Sequence, residues 1–152
     1  MKKSSLLLLL LISLSACNSP EPSPTESIED GLSSYENEAL HYRFDFPSDW
    51  NLNTNGLENS LSQRVELTPE NADTYTSYFD VHLEDRDLDF LLSQVFVGIE
   101  EVNFGGQEAY SSFTAGSQWY IVPYQESIYV ITTQTPELED VQIMLESFKF
   151  TN

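Results

Sequence analysis

An α+β fold, one antiparallel sheet with two helices, is predicted by three observations. Runs from Tyr42 onward alternate apolar and polar residues with period two, and two other stretches carry apolar residues at helical spacing. The later runs are separated only by short turn signals, which favours hairpin-linked antiparallel neighbours.

At the start of the chain, Lys2 and Lys3 precede an apolar block from Leu6 to Leu14 and then small residues, the layout of a secretory signal over residues 1–16. Nine residues make a helix of about 14 Å against about 30 Å of hydrocarbon, so the block directs export and does not span a bilayer. Leu14-Ser15-Ala16-Cys17 resembles the lipobox of bacterial lipoproteins, in which the cysteine is acylated and becomes the first residue of the mature chain. The resemblance implies lipid attachment at Cys17, two or three acyl chains, and durable extracytoplasmic residence on a bacterial membrane. No other cysteine is present, so the exported part has no disulfide and no thiol ligand or nucleophile of its own.

Residues 17–34 read as a tether. Pro20, Pro22 and Pro24 alternate with Ser, Glu and Thr, and a proline-rich chain of that length reaches roughly 50 Å. The folded domain is expected over residues 35–152, which is enough for one core.

Tyr42, Phe44 and Phe46 point one way and His41, Arg43 and Asp45 the other, a half-buried strand stopped by Pro47. Trp50 and Leu52 begin a second strand before a polar loop from Asn53 to Asn59. Arg64 to Thr68 and Tyr78 to Leu83 are two more. The latter is expected to bury Phe79, Val81 and Leu83 and to expose Asp80, His82 and Glu84. Leu88, Leu91, Leu92 and Val95 fall at helical spacing, with Asp85 or Asp87 as cap. Val97 to Phe104 runs into Gly105-Gly106, and Ala109 to Thr114, Trp119 to Tyr124 and Ser127 to Thr133 follow as hairpin-linked strands. Thr135 as cap and Pro136 in the first turn signal a second helix with Leu138, Val141 and Leu145 as its buried stripe. Phe148 and Phe150 close the chain as a short strand.

Three strings, in order, resemble PsbP-like domains, the fold of the extrinsic oxygen-evolving-complex subunits. Tyr42 to Trp50 is similar to that family's first strand and Pro-x-x-Trp turn, Phe104 to Ala109 to its central Gly-containing turn, and Leu145 to Phe150 to its closing Ser-Phe-x-Phe. The resemblance implies an antiparallel sheet flanked by helices in an α/β/α sandwich, with no catalysis. It also carries an alternative role, a photosystem II-associated extrinsic lipoprotein in a photosynthetic organism.

Charge narrows the partners. All 25 acidic residues follow the signal, against Arg43, Arg64, Arg86 and Lys149, which leaves −21 on the chain from Cys17. Such a surface repels nucleic acid and anionic headgroups, so attachment to a membrane rests on the acyl anchor.

The parts of common hydrolases are missing: there are two histidines, no His-x-x-x-His and no Gly-x-Ser-x-Gly. Asp85-x-Asp87-x-Asp89 is similar to the opening of a calcium loop, but Phe90 stands where Gly is needed and Phe96 where Glu is needed. Gly105 and Gly106 read as a hairpin turn that needs positive φ rather than as a phosphate cradle. One constellation remains: Asp80, His82 and Glu84 share a strand face, and His41 joins them if the first strand pairs alongside, a donor set for a divalent cation. The expected function is thus a non-catalytic, membrane-anchored lipoprotein that binds or scaffolds a partner protein, with divalent-metal binding in the cell envelope as the alternative.

Overall fold

A computed structural model describes residues 25–28, 31–54, 64–72 and 77–152. The signal, Cys17 and the loop around Asn55-Gly56 lie outside them. The strands are β1 (Thr25–Ile28), β2 (Leu32–Asn37), β3 (Tyr42–Pro47), β4 (Trp50–Asn53), β5 (Arg64–Pro69), β6 (Phe79–Glu84), β7 (Glu100–Phe104), β8 (Gln107–Thr114), β9 (Ser117–Tyr124), β10 (Ser127–Gln134) and β11 (Lys149–Phe150). Helix α1 (Leu88–Phe90) continues as one wider π turn over Leu91–Val95, and α2 spans Glu139–Ser147.

The α+β expectation, a sheet flanked by helices in an α/β/α sandwich, is overturned. The described residues are mostly β: they form two antiparallel sheets, ordered β1-β2-β3-β11 and β4-β5-β6-β10-β9-β8-β7, with two short helices. What covers the inner face of the larger sheet is chiefly the smaller sheet. Tyr42, Phe44 and Phe46 do alternate inward as the pattern requires. Their strand nevertheless pairs with β2 and β11 and takes no place in the larger sheet.

Aromatic rings fill the space between the sheets. Phe44 lies 5.1 Å from Phe79, Tyr42 6.1 Å from Tyr129 and Phe104 5.1 Å from Phe148, centroid to centroid, and each pair joins one sheet, or the segment beside it, to the other. Offset and edge-to-face pairs of this kind add to the stabilisation from buried area. Val141 and Met144 of α2 complete this core. Leu138, expected in the buried stripe, is exposed. The reason lies at Thr135, which adopts a positive φ of 45° and accepts from the Leu138 amide in a turn, so the helix starts only at Glu139.

The short β11 leaves part of β3 without a strand neighbour, and α2 supplies the missing partner. Beyond the Lys149–Arg43 pair, the Asp45 amide donates to Ser147 Oγ at 2.9 Å, where a longer strand would have offered a carbonyl. Gly105 (φ 59°) and Gly106 (φ 85°) turn the β7–β8 hairpin as expected, and a Cβ at Gly105 would stand 3.2 Å from Phe148 Cδ1. Strands also precede Tyr35: β1 and the first half of β2 form a hairpin within the segment read as tether.

On its outer face the larger sheet carries a second, small apolar cluster. Leu91 and Phe96 pack on Ile121, and the π turn closed by the Phe96 amide on the Leu91 carbonyl (3.2 Å) brings these two residues, five apart, to the same side. Asp87 caps α1, its Oδ1 accepting from the Phe90 amide at 2.7 Å.

Candidate functional site

The outer face of β5 and β6 gathers most of the polar chemistry. Register places Arg64 opposite His82 and Glu66 opposite Asp80, while on the other side Asp80 faces Thr132 and His82 faces Val130 of β10. Alternation puts these side chains away from the aromatic core. They are not, however, uniformly solvated: the Asp80 side chain is 5% exposed.

Burying that carboxylate requires donors, and two are present. Arg64 Nε–H donates to Asp80 Oδ2, and His82 Nδ1 lies 2.7 Å from Asp80 Oδ1. A carboxylate held by an arginine only accepts, so it is His82 Nδ1 that carries a proton toward Asp80. Arg64 Nε also stands 3.2 Å from Glu66. Partial burial works against the Arg64 charge, but the hydrogen bond and charge of Asp80 outweigh it and raise its pKa above the usual arginine value.

Glu84 belongs to a separate pair. Arg86 Nε donates to its Oε1 at 2.9 Å, Arg86 Nη2 to its Oε2, and the amides of Asp85 and Arg86 to Oε1 at 3.1 and 3.2 Å. Arg86 above all holds the Glu84 carboxyl down to about 2.

Of the four residues read as a cation set, the structure thus joins Asp80 to His82 and leaves Glu84 with Arg86. His41 lies in the β2–β3 turn (φ 54°), its carbonyl accepting from the Thr151 amide at 2.8 Å, in the other sheet. The pairing of the first strand beside β6, on which its participation depended, does not occur. Among the described residues, no group of three or more His, Cys, Asp or Glu stands where it could hold a metal ion. No described hydroxyl hydrogen-bonds to His82 either, so Asp80 and His82 form a hydrogen-bonded brace, with the buried Thr132 hydroxyl on the strand opposite.

Arg64 is the member of this cluster that sequence reasoning missed. Its signal was available, a basic residue on the polar face of a strand, but only register shows that it meets Asp80. Cys17 lies outside the described residues, and none of the described helices is long and apolar enough to cross a membrane. No protein-family model matches this chain, and no curated protein matches it in sequence.

Proposed function

We propose that this chain is a lipid-anchored, extracytoplasmic binding module without catalytic activity, which holds a partner protein at a bacterial membrane surface. One observation carries the reading: Leu14-Ser15-Ala16-Cys17 directly after an apolar block of export length. Two further features support it. In the polar cluster on β5 and β6, Arg64 and His82 both hold the buried Asp80 carboxylate, an arrangement that suits a structural brace. The strong acidity removes the electrostatic route to an anionic bilayer and leaves acyl chains as the means of attachment.

Substitution of Cys17 tests the anchor. In cells fed a labelled fatty acid, the native chain takes up label and sediments with membranes, whereas Cys17→Ser carries no label and moves to the soluble extracytoplasmic fraction. Equal label and equal membrane retention in the variant overturn the reading. For the binding role, crosslinking in the native membrane followed by capture of the tagged chain is expected to return a specific protein above an untagged control, and its failure to do so counts against a scaffold.

A further inference from the structure

Among the described residues, the larger sheet ends at β7 in an edge with no neighbour on its outer side. Among the described residues, strand β7 pairs only with β8, through Glu100–Ser111, Glu101–Tyr110, Val102–Ala109, Asn103–Glu108 and Phe104–Gln107. A two-residue turn makes Phe104 and Gln107 a hydrogen-bonded pair, and in an antiparallel ladder such pairs alternate. Phe104, Val102 and Glu100 therefore spend their backbone groups on β8, and Glu101 and Asn103 direct theirs outward. Among the described residues, no backbone group bonds to them.

Side chains around this edge set what it accepts. Glu101, Asn103, Glu108 and Tyr110 lie on the outer face and, with Val102 and Ala109, line a cleft of about 410 Å³. Val102, on the opposite face, packs half-buried against the rim of the aromatic core. A strand laid along β7 would thus set one row of its side chains beside Glu101 and Asn103, with Glu108 one strand further in, and the other row beside Val102, with Glu100 at its end. Complementarity asks for positive charge in the first row and apolar side chains in the second. A second copy of this chain is a poor occupant, since each carries −19 overall and would bring Glu100 and Glu101 against their like.

We propose that the β7 edge captures an extended segment of a partner protein in which Lys or Arg alternates with apolar residues, adding it as an eighth strand. This rests on the protein-binding reading above and names the chemistry of the partner. Backbone hydrogen bonds from Glu101 and Asn103 supply the docking, and the glutamates supply selectivity and faster encounter.

The test uses the full chain purified in neutral detergent and a short dye-labelled peptide of alternating Lys and Val, with alternating Glu and Val as control. Fluorescence anisotropy is expected to show saturable binding of the first peptide only, with slowed amide hydrogen exchange at Glu101 and Asn103. Asn103→Pro removes one outward N–H while leaving the pairing with β8 intact, and is expected to weaken binding about tenfold or more. Joint Glu101→Gln and Glu108→Gln substitution weakens it several-fold and flattens the salt dependence.

Unchanged affinity in Asn103→Pro shows attraction by charge alone and overturns the proposal. So do absence of binding at millimolar peptide, protection confined to other strands, and a native chain that dimerises by itself through the same amides. Where Asn103→Pro does not fold, the exchange pattern of the native chain decides. Peptide binding together with a Cys17→Ser chain that keeps its label and its membrane retention defeats the anchor but not the edge, whereas no peptide binding together with an unlabelled, soluble Cys17→Ser chain defeats the edge alone.

Discussion

The two faces of the seven-stranded sheet are built from the same alternating strands, yet they hold together by different means. Inward, Phe79, Val81, Tyr129, Ile131 and Val122 meet the rings of Tyr42, Phe44 and Phe148 across the interior. Outward, the sheet divides between a small apolar cluster around Leu91, Phe96 and Ile121 and the Asp80 carboxylate held by Arg64 and His82. The difference teaches that the non-core side of a strand is not automatically wet. Asp80 is nearly as buried as its core-facing neighbours and owes its tolerance there to two donors.

The comparison is most severely tested from the inner side. Phe148 is 2% exposed and meets Tyr42, Phe44, Phe104 and Phe150, so Phe148→Ala opens a cavity that two sheets and a helix cannot jointly close. A loss of about 3–5 kcal/mol is expected by denaturant unfolding, with cooperativity retained. A loss below about 1 kcal/mol would show that the inner face is not the dominant one.

On the outer face, Asp80→Ala is expected to cost about 1–3 kcal/mol in the same measurement. The half-exposed Arg64 recovers water, and His82 loses the acceptor that fixes its ring. Near-neutrality would mean that this face is solvated after all, as its alternation pattern alone suggests.

The smallest effect distinguishes the second ion pair. Because Glu84 has its carboxyl lowered from the ordinary 4.5 to about 2, the folded state favours the ionised form. Its contribution is therefore present above pH 4.5 and is lost as pH falls toward 2. Arg86 is about half exposed, so screening keeps this to about 1 kcal/mol or less. Arg86→Ala should remove that part of the acid dependence and return the Glu84 titration, followed by NMR, toward its ordinary range. An unmoved titration would transfer the cause to the local amides.

Individual strands were legible in the sequence because alternation is a local property. Tyr42, Phe44 and Phe46 show it, and so do Phe79 and Val81. Sheet membership is not local. Nothing in residues 42–47 distinguishes a strand that joins a large sheet from one that pairs with Lys149 and Phe150 more than a hundred positions away. That is why one sheet was expected where there are two. The same limit governs the site: Asp80 and His82 were placed together by their spacing, whereas the intrusion of Arg64 and the withdrawal of His41 depend on register and topology. Leu138 fails for a subtler reason, since a good cap sequence at Thr135 and Pro136 was used for a turn before the helix.

The early start of β1 shortens the leash. Between Cys17 and Thr25 lie only Asn18 to Pro24, seven residues that cannot stretch beyond about 25 Å even when pulled straight. On the proposed acylation of Cys17, this length holds the first strand within about 25 Å of the anchored sulfur. On that proposal, a companion that is itself anchored meets it by a search confined to a thin layer.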